Sequence, residues 1–109
     1  MILVTVYTGK SGERRGIRVS GHAEFDEYGK DIVCAAVSAL TLNMANSVGE
    51  LTDDAFSARE DEENGEFTFS FEGEAGKKGT LLLDSLILGL RNLADTYGDE
   101  YIRIALEEV

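Results

Sequence analysis

The chain has only one cysteine and one histidine in its 109 residues. A single cysteine excludes an internal disulfide, and a reducing compartment leaves such a thiol free to react. One His, one Cys and scattered carboxylates form no closely spaced ligand set, so neither a metal nor another cofactor is expected. No phosphate-cradling glycine loop or dinucleotide fingerprint is present, nor any internal repeat, low-complexity tract or linker. No apolar run reads as long enough to span a bilayer. The first residues, Met1-Ile2-Leu3-Val4-Thr5-Val6-Tyr7, lack the positive region and small-residue cleavage site of a secretory signal, so a cytoplasmic address is expected. Basic side chains are the scarcer sign. Ten Lys and Arg face 21 Asp and Glu, a formal charge of -11 that disfavours contact with nucleic-acid phosphates and anionic lipid surfaces.

What is present suits one compact domain over residues 1–109, with 43% apolar and 28% charged side chains. Acidic residues gather at Glu24, Asp26 and Glu27, at residues 60–63, and at Glu107 and Glu108; a small basic group sits at Lys10, Arg14, Arg15 and Arg18. Such clusters are ordinarily solvated faces. The alternative is attraction of a basic polypeptide, and the first cluster favours it by lying between His22 and Cys34.

Periodicity then orders the chain. Residues 2–8 have apolar side chains on both faces, which predicts a central strand covered on both sides. A glycine-marked connection at 9–13, with Gly16, leads into a second strand over 17–20 that ends at Gly21. Residues 23–30 show no period, carry Phe25 and Tyr28, and read as a loop able to close over a ligand. Asp31 is a good N-cap for a helix from 32 to about 48, with Gly49 as its stop. Val33, Val37, Leu40, Met44 and Val48 form one stripe, Cys34, Ser38, Thr41 and Ala45 a second, smaller one, and Ala35, Ala39 and Leu42 are apolar on a third side. That predicts a helix buried nearly all round, either inside the monomer or partly against a second subunit. Residues 51–59 are ambiguous and extended. The Asn64-Gly65 pair then predicts a hairpin into a strand that points Phe67, Phe69 and Phe71 into one core face. A second helix follows from 80 to about 97, stopped by Gly98, and a last strand over 101–106. The order β-β-α-β-β-α-β implies an α+β fold, with two helices on a mixed, largely antiparallel sheet. Strand order is open.

The chemistry gathers between the second strand and the first helix. The positive end of a helix stabilises a thiolate, so a first-turn Cys34 is where a depressed pKa is expected. His22, at a strand's end, would take the thiol proton and later hand it to a leaving amine, while N–H groups near Val33 and Cys34 hold the oxyanion. Asp31 either orients His22 or only caps the helix. Ser38, one turn beyond Cys34, either supports the thiol or bonds back to the helix. A lone cysteine in a helix is more often a small buried hydrophobe than a nucleophile. The residues alone reach no further than a candidate Cys/His hydrolase.

Gly21-His22-Ala23, followed by Gly29-Lys30-Asp31-Ile32-Val33-Cys34-Ala35-Ala36-Val37-Ser38 and by Asn43 and Asn46, closely resembles the ribosomal-processing cysteine protease family (Prp, also called YsxB-like). The element order is similar over essentially the whole chain. The resemblance implies a homodimeric endopeptidase that removes the N-terminal extension of ribosomal large-subunit protein number twenty-seven after a hydrophobic segment, supporting ribosome assembly. It implies Cys34 as nucleophile and His22 as general base, with Asp31 and Ser38 as motif positions, and a loop, here carrying Phe25 and Tyr28, that orders around substrate. The rival reading is a non-catalytic ribosome-associated module that binds a basic ribosomal protein.

Overall fold

The computed structural model describes residues 1–27 and 30–109. Among these described residues seven elements follow in the expected order: β1 (Ile2–Thr8), β2 (Arg14–Ser20), α1 (Ile32–Leu51), β3 (Phe56–Asp61), β4 (Glu66–Phe71), α2 (Lys77–Tyr97) and β5 (Ile102–Glu108). The strands form one mixed sheet in the order β3-β4-β2-β1-β5. The pairs β1/β2, β2/β4 and β3/β4 are antiparallel and β1/β5 is parallel. A parallel partner cannot be reached by a tight turn, and α2 supplies the crossover from β4 to β5.

Strand alternation separates the two faces of the sheet. Ile2, Val4 and Val6 of β1, Ile17 and Val19 of β2, Phe67, Phe69 and Phe71 of β4 and Ile102 of β5 are all buried on one side. The helices lie together on that side, α1 contributing Val33, Val37, Met44 and Val48 and α2 contributing Leu83, Leu86, Ile87 and Leu90. Because both helices take the same face, β1 is flanked by strands but not covered on both sides as expected: Leu3 is 49% exposed.

Several boundaries also differ from expectation. α1 does not stop at Gly49; it runs to Leu51 and ends where the Thr52 N–H and hydroxyl both donate to the Val48 carbonyl, at 3.2 and 2.7 Å. Within the single chain it is not buried all round, since Ile32, Leu42 and Leu51 are exposed. An 18-residue stretch of it has a mean hydropathy of 1.5, by length and composition enough to cross a bilayer, contrary to the reading of the sequence. In the fold its apolar stripe is the underside of the core, packed on the sheet. α2 begins earlier than expected because its cap is remote in sequence: Asp54 accepts the N–H groups of Gly76 and Gly79 at 2.9 and 3.0 Å. β2 likewise begins earlier, and its first residue, Arg14, pairs with Asp84 of α2 at 2.7 Å.

Candidate active site

The site forms where β2 ends. Gly21 has φ +92, and a Cβ there would lie 2.4 Å from the Met1 carbonyl oxygen, so only glycine lets the chain turn against the start of β1. Its N–H donates to the Gly65 carbonyl at 2.8 Å, which ties this turn to the β3–β4 hairpin. His22 follows, half-buried, and the next residue closes the geometry: the Ala23 N–H donates to Cys34 Sγ at 3.2 Å. The end of β2 and the first turn of α1 thus meet at the sulfur, and His22 and Cys34 line one cleft of ≈ 480 Å³. Ser38 lies on the same wall. The facing wall is the β3–β4 hairpin, with Glu60, Asp61, Glu62 and Glu66 at its rim, and Val19, Val37 and Phe67 supply apolar lining.

Asp31, 7% exposed, holds this arrangement through both oxygens. Oδ1 accepts the Val33 and Cys34 N–H groups at 2.9 and 3.0 Å, and Oδ2 accepts those of Phe25 and Asp26 at 2.9 and 3.4 Å. One carboxylate therefore starts the helix and fastens the preceding loop to it. Burial alone would raise its pKa, but the N–H groups of Cys34, Phe25, Asp26 and Val33 together outweigh burial and hold it below the ordinary carboxylate range.

This cap changes the expected electrostatics of the thiol. The helix-start N–H groups assigned from sequence to a thiolate or an oxyanion are already taken by Asp31. Burial pushes the Cys34 thiol above its ordinary range; the Ala23 N–H acts against this, and the charge of Asp31 adds to the rise. The expected depression is thus reversed, and the resting group at neutral pH is the thiol. Alkylation of the folded protein by iodoacetamide should titrate above the free thiol's roughly 8.5. A midpoint well below that value would contradict this account.

Phe25 does not face the cleft. Its ring packs edge-on against Tyr97 and Tyr101, with centroids 5.4 and 5.2 Å away, while Glu24 and Asp26 on either side line the cleft. Tyr28, its expected companion, lies outside the described residues. The hairpin wall was missed from sequence: Asn64-Gly65 signals a turn, but its place beside His22 follows only from the β2/β4 pairing.

A family model described as Cysteine protease Prp matches residues 1–103. The chain belongs to this family. The ribosomal processing cysteine protease Prp of Staphylococcus aureus (strain Mu50 / ATCC 700699) is 29% identical over 104 residues, which cover 95% of this chain and 97% of the relative. That of Bacillus subtilis (strain 168) is 31% identical over 103 residues, covering 91% and 92%. The essential ribosomal processing protease Prp from S. aureus, solved in complex with a covalently linked product peptide, matches with a TM-score of 0.91 at 28% identity, over 98% of this chain and 100% of that one. SMU.848 from Streptococcus mutans matches with a TM-score of 0.83 at 33% identity, over 100% and 96%. The Prp-family chain is accordingly a cysteine protease.

Proposed function

We propose that this protein removes the N-terminal extension of ribosomal large-subunit protein number twenty-seven, with Cys34 as nucleophile and His22 as general base. One observation carries the assignment of the nucleophile: a cysteine protease needs a cysteine, and the single one in this chain lies in a cleft shared with the single histidine. Because the thiol is protonated at rest, His22 takes its proton as Sγ attacks the scissile carbonyl carbon. Collapse of the tetrahedral intermediate breaks the C–N bond, and the imidazolium gives its proton to the leaving amine. His22 then deprotonates a water that attacks the thioester, and Cys34 leaves and recovers a proton. The Ala23 N–H already donates to the sulfur that attacks. Asp31 keeps helix and loop in register, and Ser38 lines the wall beside the thiol. Phe25 and Tyr28 contact the hydrophobic substrate segment when the loop rearranges. Residues 1–109 act as one protease unit in the cytoplasm, as a homodimer.

The test is mass spectrometry of a peptide spanning the extension and first mature residues of the cognate ribosomal protein. Wild type should cut one bond after the hydrophobic segment and Cys34→Ala none; an uncut peptide with wild type would overturn the proposal. A basic substrate approaching a chain of charge -11 gains on-rate from long-range attraction. kcat/KM should therefore fall several-fold between about 0.05 and 0.5 M salt, where the screening length shrinks from over 10 Å to about 4 Å. Equal values at both ends would remove steering from the mechanism.

A further inference from the structure

We infer that Gly65, in the turn between β3 and β4, is a positioning residue that sets where the His22 imidazole stands. The inference rests on His22 being the general base. Gly65 has φ +62 and lies 43 positions (65 minus 22) from His22 along the chain, yet both line the same cleft. A Cβ built on Gly65 would fall 2.8 Å from His22 Nε2, 2.8 Å from its Cε1 and 2.7 Å from the Gly21 carbonyl oxygen. All three separations are shorter than real Cβ contacts allow. The imidazole therefore occupies the space that a side chain at 65 would fill. The backbone fixes the same junction from the other side, because the Gly65 carbonyl accepts the Gly21 N–H at 2.8 Å. The turn itself is closed by the Gly65 N–H donating to the Glu62 carbonyl at 3.2 Å. A methyl group at 65 has two ways to fit, and both act on the base: the imidazole swings off its position, or the hairpin lifts and loosens the Gly21–His22 segment. Proton transfer requires the base within hydrogen-bond reach of the thiol, so a small displacement should lower kcat rather than substrate binding.

Positive φ is itself costly for alanine, and Gly12 isolates that cost: it has φ +82 with nothing within 4 Å of its built Cβ. The experiment compares wild type, Gly65→Ala, Gly12→Ala and His22→Ala in thermal unfolding, steady-state cleavage of the ribosomal-protein peptide, and NMR of the imidazole. The chain's single histidine makes its ring resonances a one-residue reporter. Expected for Gly65→Ala are displaced His22 ring resonances and a kcat at least about tenfold lower with KM little changed, while Gly12→Ala matches wild type in both. Should Gly65→Ala not fold, Gly65→Asn carries the same Cβ in a residue that tolerates positive φ, and the same readings apply. Unmoved resonances, or a kcat no lower than that of Gly12→Ala while His22→Ala is inactive, overturn the role of Gly65 and leave the Cys34/His22 reading standing. Full activity in His22→Ala overturns that reading and, with it, this inference.

Discussion

Cys34→Ala is expected to lower kcat/KM by at least about 10⁴-fold, and His22→Ala by about 10²- to 10⁴-fold with a changed pH dependence. The difference follows from the state of the thiol. Its pKa is raised, chiefly by burial, so in the proposed mechanism wild type depends on His22 to remove the proton during attack. Without His22 the only competent form is the thiolate already present in solution equilibrium. The residual rate of His22→Ala should then climb about tenfold per pH unit until the thiol is titrated, and the gap to wild type should narrow steadily from about pH 6 to pH 10. Cys34→Ala has no nucleophile at any pH and should not recover. Steady-state cleavage of the ribosomal-protein peptide across that range separates the cases. A constant ratio between wild type and His22→Ala would mean that the imidazole does not act by taking the thiol proton.

Asp31→Ala should cost about 2–3 kcal/mol of folding stability: about 1–2 for the lost helix cap and about 1 for the loop bonds. Asp31→Asn should cost less, because one oxygen can still accept from Val33 and Cys34. Its NH2 group, however, would face the N–H groups of Phe25 and Asp26 and release the loop. Cleavage should therefore suffer in both variants, although only alanine loses the cap. The pH dependence supplies a further signature. Asp31 has a folded pKa below its unfolded value of about 3.9. Its stabilisation is thus complete above about pH 5 and is lost as pH falls through the folded value. Urea unfolding at pH 7 and at pH 3 should show wild type losing more stability on acidification than Asp31→Asn. Equal losses would mean that Asp31 contributes no pH-dependent stability.

The legible parts of the sequence were those whose causes are local. Phe67, Phe69 and Phe71 alternate within one strand, Asp31 caps the helix that begins at the next residue, and Gly98 ends α2 with φ +109. What was not legible depends on partners brought from elsewhere. Asp54 caps α2 from 22 positions before Gly76, so the helix start has no local mark. The pairings of β2 with β4 and β1 with β5 leave no trace in either strand's own pattern, and the first of them brings Gly65 to His22. The thiol is a different case. Asp31 as cap and Cys34 in the first turn were both visible, so the occupied helix-start donors could be read locally; the burial that chiefly raises the thiol's pKa could not, because it depends on the end of β2 folding against the helix.

The sheet has two open borders, β3 and β5, and each ends in charge: Arg59, Glu60 and Asp61 on one, Glu107 and Glu108 on the other. At neutral pH two copies meeting edge to edge would bring acidic termini together in chains already carrying -11, so filament-like stacking is opposed by repulsion. That protection is itself titratable. Near the isoelectric point of about 4.4 the chain's net charge approaches zero and the repulsion fades. Acidification thus leaves the unpaired backbone of both borders undefended at once, which makes acidic conditions near the isoelectric point the natural onset of precipitation for this fold.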